Sequence, residues 1–154
     1  MSKIGILSTI SERKGSDIFK SIATMTTNTD VLITKLKLTR KQYYSRMSNL
    51  VKLGLVKRQN GRYLLTSFGK VIYGSYMSLE GRIDAALDSY WKLKAIDSLE
   101  LPSTEERNKV ISILLDNPDI GNALLEYERK LASHLLGRQK SKTESELVEV
   151  PNLA

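Results

Sequence analysis

Covalent and acid–base chemistry needs nucleophiles, imidazoles or thiols within reach of one another, and this sequence scarcely holds them. It contains one histidine, His134, and no cysteine. That composition excludes a multi-histidine or thiolate metal site, a disulfide and a thiol redox switch. Asp84 and Asp88 share one side of a helix, but no histidine, cysteine or glycine-rich loop accompanies them, and a solvated face is the expected use. His134 falls at the edge of an apolar stripe and is expected to be structural. Nucleophile, base and oxyanion donor do not assemble, so neither an enzyme nor a cofactor or metal is expected. The residues that stand out are cations. Residues 31–79 hold ten of them (Lys35, Lys37, Arg40, Lys41, Arg46, Lys52, Lys57, Arg58, Arg62 and Lys70) and no Asp or Glu. That stretch carries +10, which leaves −3 for the rest of a chain of net +7. An acid-free block of this size attracts a polyanion, most often nucleic acid.

Cations read a polyanion only if a scaffold aims them. Thr39 is placed to cap a helix over residues 40–53. Tyr43, Met47, Leu50 and Val51 fall in one apolar sector of it. Lys41, Ser45, Ser48, Asn49 and Lys52 fall opposite, with Tyr44 at the border. Gly54 supplies the stop. Residues 55–58 and 63–65 read as short strands about Asn60-Gly61, the strongest short hairpin signal, because both residues accept positive φ. Upstream, Ser16-Asp17 caps a core helix over residues 17–25, broken by Thr26-Thr27. Asn28 or Thr29 opens a second, with Val31, Leu32 and Leu36 inward. Residues 1–15, where Ile4, Leu7 and Ile10 recur around Gly5, form an N-terminal arm, loose or helical.

Downstream, Thr66 caps a long helix reaching about Asp97. Its stripe includes Phe68, Val71, Ile72, Tyr76, Leu79, Ile83, Ala86, Tyr90 and Leu93. Gly69, Gly74 and Gly81 each weaken that helix by roughly 1 kcal/mol against Ala and offer close helix approach. Ser103 through Glu106 is a capping box, and Asn117-Pro118-Asp119 opens a last helix. Ile120, Leu124, Tyr127, Leu131 and Leu135 stripe that helix, and Gly137 ends it. The expected organisation is an arm at 1–15, a DNA-binding domain at 16–75, a helical assembly region at 76–137 and a disordered tail at 138–154. No apolar run approaches the roughly 20 residues that span a bilayer, and the N-terminus does not read as a secretory signal. A cytoplasmic, nucleoid-associated protein with no membrane partner is expected.

The segment from Thr39-Arg40-Lys41 through Leu50-Val51-Lys52-Leu53-Gly54-Leu55-Val56-Lys57-Arg58, then Gly61-Arg62-Tyr63-Leu64-Leu65-Thr66 and Gly69, resembles the prokaryotic winged helix-turn-helix transcriptional regulators, with a MarR/ArsR-like DNA-binding domain. The likeness spans residues 16–75. It implies a mainly α fold with a small β-hairpin wing, followed by a long helix and a C-terminal helical pair. It also implies a sequence-specific partner, double-stranded DNA, with helix 40–53 in the major groove and wing 55–65 on the backbone or minor groove. The groove face would then be Thr39, Arg40, Lys41, Tyr44, Ser45, Ser48, Asn49 and Lys52, and the wing would supply Lys57, Arg58, Asn60 and Arg62. Arg40, Lys41 and Asn49 suit base edges, at about 1–3 kcal/mol of discrimination for a good bidentate contact. Serines, Lys52 and the wing suit phosphates.

Tyr73, Met77, Leu87 and Trp91 lie off the main stripe of the long helix. They call for a second covering surface, either helices 103–116 and 118–136 of the same chain or a homodimer, and the homodimer is favoured. The alternative to DNA binding is a winged-helix protein-interaction module in a larger assembly, which has little use for an acid-free block. RNA or single-strand binding needs stacking aromatics, for which only Tyr44 and Tyr63 offer themselves. A small-molecule effector between helices would leave no mark in the sequence.

Overall fold

The computed structural model describes residues 2–24 and 28–147. The protein is mainly helical, with one two-stranded antiparallel hairpin. It divides into residues 1–80 and residues 81–154.

In the first unit the expected arm is a helix, α1 (Lys3–Ser11), capped by the Ser2 hydroxyl accepting from the Gly5 amide. A single extended residue, Glu12, separates it from α2 (Arg13–Thr24). Glu12, rather than Ser16-Asp17, opens α2: its carboxylate accepts from the amides of Gly15 at 2.6 Å and Lys14 at 3.4 Å. Ser16 therefore sits inside the helix, buried, with its hydroxyl 2.8 Å from that of Tyr76. Residues 25–27, where the break after α2 was expected, lie outside the described residues. Asn28 caps α3 (Thr29–Lys35). Lys37 then turns at φ 51, with the Lys37 amide bonded to Thr34 O and the Leu38 amide to Ile33 O, a left-handed C-terminal cap.

Thr39 and Gln42 form a reciprocal capping box at the start of α4 (Arg40–Lys52). The same left-handed cap closes that helix at Gly54, φ 71. β1 (Val56–Gln59) pairs with β2 (Arg62–Leu65) in the register Val56↔Leu65 to Gln59↔Arg62. Asn60 and Gly61 make the turn at φ 51 and 74, the mirror-image geometry that matches strand twist. Thr66 joins hairpin to helix. Its hydroxyl donates to Gly54 O at 2.6 Å and accepts from the Gly69 amide at 2.8 Å, starting α5 (Ser67–Asp88). Gly69 lies so close to Leu55 that a Cβ would overlap the Leu55 carbonyl oxygen. The glycine in this motif is therefore a packing requirement. Gly74 and Gly81 meet nothing within 4 Å of a Cβ position among the described residues.

The core of this unit is Ile10, Ile18, Phe19, Ile22, Leu32, Leu38, Tyr43, Met47, Leu50, Leu55 and Val56, with Ile72, Tyr73 and Tyr76 of α5 packed on it. Val51, expected in the core, is exposed. Tyr73, expected at a dimer surface, instead meets Phe19 edge-on, with ring centroids 5.8 Å apart. Met77 remains exposed. Glu80 ties α5 to α2 by accepting from Lys20 Nζ and the Tyr76 hydroxyl at 2.6 Å. The Lys20 bond holds the Glu80 carboxyl below its usual range, and Glu80 in turn raises Lys20.

In the second unit the long helix does not run unbroken to Asp97. It breaks at the buried Ser89, whose ψ is 3°, and resumes as α6 (Tyr90–Asp97). The break frees Ile96 to join Ile111, Leu115 and Ile120 in a small core, flanked by Ala85, Ala86 and Leu93. α7 (Thr104–Leu114) begins under the Ser103 cap, and α8 (Pro118–Leu147) under Asn117. Arg107 pairs with Glu128 across α7 and α8 at 3.3 Å. Gly137 does not end α8, which continues through it to Leu147. Residues 138–147 are thus helical rather than disordered, because Arg, Gln, Lys, Glu and Leu are strong helix formers. The remainder of the expected tail, 148–154, lies outside the described residues. Leu87, Trp91, Tyr127, Leu131 and Leu135 are exposed. So is His134, which is not the packed structural histidine expected.

Candidate nucleic-acid interface

Burial of Tyr43, Met47 and Leu50 fixes which way α4 faces. Lys41, Ser45, Ser48 and Lys52 project from the opposite side, because residues three and four apart share a helix face, and all four are exposed. Tyr44 stands beside them, 50% exposed, its ring edge-on to Tyr43 at 5.3 Å. Burial pushes the Tyr43 hydroxyl up, opposed by a hydrogen bond to Thr29. That ring serves the core and is no contact surface.

One flank of α4 is already taken. Asn49 Nδ2 donates to Thr9 Oγ1 at 2.9 Å, and Arg46 forks onto Glu12 at 3.1 and 3.3 Å. A Cβ on Gly5 would lie 3.6 Å from Leu53 Cδ2. Helix α1 therefore runs antiparallel along this flank. Asn49, expected as a base reader, is held by α1 instead, and the Thr39 side chain is committed to its cap. Arg40 extends toward Asp30 at 3.4 Å in an open pair whose side chains are 77% and 74% exposed, too solvated to hold the guanidinium.

The hairpin carries the second group. Lys57, Arg58, Asn60 and Arg62 are exposed. Arg58 and Tyr63 are cross-strand partners, and the Arg58 guanidinium lies 5.9 Å from the centre of the Tyr63 ring, a cation–π distance. Among the described residues Lys41, Lys52, Lys57, Arg58 and Arg62 form no ion pair.

Glu12, Thr9 and Arg46 were missed at the sequence level. The spacing of Ile4, Leu7 and Ile10 does not carry that contact, since Ile4 and Leu7 are exposed and only Ile10 is buried. The described residues hold no cluster of three or more potential metal ligands, and none of their helices is long and apolar enough to cross a membrane. Comparison of the chain with protein-family models, with curated proteins and with solved structures gives no match. The functional reading rests on the geometry.

Proposed function

We propose that residues 1–80 form a winged helix-turn-helix that binds double-stranded DNA as a sequence-specific transcriptional regulator. The observation that carries this reading is the placement of five cations that form no ion pair among the described residues, Lys41 and Lys52 on the open face of α4 and Lys57, Arg58 and Arg62 on the hairpin, on a unit of formal charge +10 (fourteen Lys and Arg against four Asp and Glu). Helix α4 enters the major groove with Lys41 and Tyr44 nearest the bases and Ser45, Ser48 and Lys52 toward phosphates. The hairpin is the wing. Asn49 drops from the base readers to a brace, and Arg40 stays mobile enough to swing from Asp30 to DNA.

The reading includes a homodimer. On α8, Tyr127, Leu131 and Leu135 are 64%, 43% and 53% exposed at a spacing of four, an apolar stripe with nothing over it among the described residues. Leu87 and Trp91 add to the exposed apolar surface of the same unit. A twofold would let two α4 helices read half-sites about one helical turn apart.

The test is selection from a random duplex library at two salt concentrations. An enriched motif, with affinity falling steeply in salt, is expected. Lys41→Ala should lose discrimination among sites, and Arg62→Ala should weaken all sites about equally. A library that emerges unenriched at both salts refutes sequence specificity. Absence of any duplex binding at low salt would return the unit to the protein-interaction alternative.

A further inference from the structure

The hairpin packs on α4 through Val56 at its base, and the two stand apart further out. Between them, and bounded by α2 and α3, lies a cleft of about 760 Å³, within the size range of small-ligand sites. On its α2 and α3 side the buried, apolar Ile22 and Leu32 stand among the polar Ser21, Asn28 and Thr29. Two tyrosine rings stand at its walls, Tyr44 from α4 and Tyr63 from β2, and Arg58 and Arg62 stand beside them. No Asp or Glu occurs among the described residues that line it. A duplex has no use for such a recess, because its bases are stacked inside the helix and only phosphates and groove edges meet the protein. Phosphates alone would be served by the arginines without rings or apolar side chains.

We propose that this cleft binds one unstacked nucleotide unit, with its planar base against Tyr44 and Tyr63, near Ile22 and Leu32, and its phosphate on Arg58 and Arg62. Every base offers a π-face, so aromatic stacking sets the ring without choosing it. The guanidiniums supply charge-assisted bonds to phosphate oxygens. The shared chemistry, ring plus phosphate, is carried by a free nucleotide or by an unpaired residue of a strand. Tyr44, Arg58 and Arg62 also belong to the proposed duplex surface, so an occupied cleft displaces the duplex. That competition rests on the DNA-binding reading, whereas occupancy itself does not.

The experiment titrates the full chain, without duplex, against the four nucleoside monophosphates, adenosine, inorganic phosphate and a single-stranded pentanucleotide, by calorimetry and amide chemical shifts. Saturable one-to-one binding of a monophosphate or the pentanucleotide below about 1 mM is expected, with shifts centred on residues 21–22, 43–44 and 58–64. Adenosine and phosphate alone should bind at least tenfold more weakly. A pentanucleotide more than tenfold tighter than any monophosphate identifies a strand as the source, and equal affinities identify the free nucleotide. Two variants probe the cleft. Ser21→Phe fills it from the α2 wall, and Tyr63→Leu removes one ring, each checked for fold by circular dichroism. Either should cost tenfold or more in nucleotide affinity. The proposal is overturned if neither ligand saturates, if phosphate alone binds as well, or if both folded variants bind nucleotide unchanged. Duplex binding is measured separately, so loss of the regulator reading leaves this result standing.

Discussion

Glu12 is the residue whose loss should separate stability from binding. Its carboxylate does two things at once: it opens α2 by accepting from the Gly15 and Lys14 amides, and it clamps Arg46 of α4 through both oxygens. Replacing a side-chain cap with Ala costs about 0.5–2 kcal/mol. The ion pair adds about 0.2–1 kcal/mol, near the low end because the two side chains are 31% and 46% exposed and solvent screens them. Glu12→Ala should therefore destabilise the protein by about 1–2 kcal/mol, a fall in Tm of about 5 °C for a chain of this size.

The pH dependence isolates the carboxylate. Chiefly the Arg46 bond, aided by the Gly15 amide and opposed by burial, holds Glu12 below its usual range. A depressed acid contributes stability that is complete above its unfolded pKa, about 4.3, and that is lost as pH falls through the folded value. The gap between parent and Glu12→Ala, full at pH 7, should narrow below about pH 4, because the other carboxylates are common to both proteins. Binding should move the opposite way. With Glu12 gone Arg46 is unpaired, and the salt dependence of duplex affinity should steepen by up to about 0.9 in log–log slope. Urea unfolding at pH 7 and pH 3.5, with salt-dependent anisotropy on one duplex, checks both. A variant that unfolds with the parent at pH 7, or a gap that ignores pH, refutes the double role assigned to Glu12.

Other consequences are more local. Gly69→Ala should cost about 2–3 kcal/mol by forcing the start of α5 away from Leu55, measured by chemical denaturation; a neutral result would mean that the contact is not tight. Lys37→Gly should stabilise by about 0.5–1 kcal/mol, relieving a left-handed residue at φ 51, and a lower Tm would contradict this. Asn49→Ala should leave the selected DNA motif unchanged, in contrast to Lys41→Ala, because its amide is engaged by Thr9; a shifted motif would restore Asn49 as a base reader. Leu131→Glu with Leu135→Glu should turn a sedimenting dimer into a folded monomer, and a dimer that survives both charges would place the interface elsewhere.

What the sequence made legible was local. Thr39, Gly54, Asn60-Gly61 and Thr66 with Gly69 each act within a few residues, and α4 and the hairpin appear within a residue or so of where those signals put them. What escaped depended on neighbours distant in the chain. Glu12 is not among the usual capping residues, and its role needs Arg46, thirty-four positions away. Tyr73 lies off the main stripe of a single helix, yet α5 packs it on Phe19 beside Ile72 and Tyr76, while Phe68, Val71, Leu79 and Ile83 of the expected stripe are exposed. Ser89 carries no breaker chemistry, and the break there answers to the burial of Ile96. Gly137 looked like a stop because glycine commonly is one, but nothing in the next ten residues resists helix.

The same distinction changes how the charge should be understood. In sequence, residues 31–79 are acid-free, as though acids had been cleared from a binding surface. In space, acids return to it. Glu12 comes from outside the stretch to Arg46, and Asp30 to Arg40. Glu80 takes Lys20, and Asp17 acts on Lys20 as well. The first unit's four acids are thus set against three cations, Arg46, Arg40 and Lys20, of which only Arg40, in its open pair with Asp30, belongs to the expected groove face. Their placement pins the flank of α4 through α1 and leaves eleven of the unit's fourteen cations, Lys41, Lys52, Lys57, Arg58 and Arg62 among them, without ion pairs among the described residues. Net charge alone would draw any polyanion to any face. Cations on one open helix side and on a hairpin, with the helix braced from behind by its core and from the side by α1, suit the groove reading proposed above.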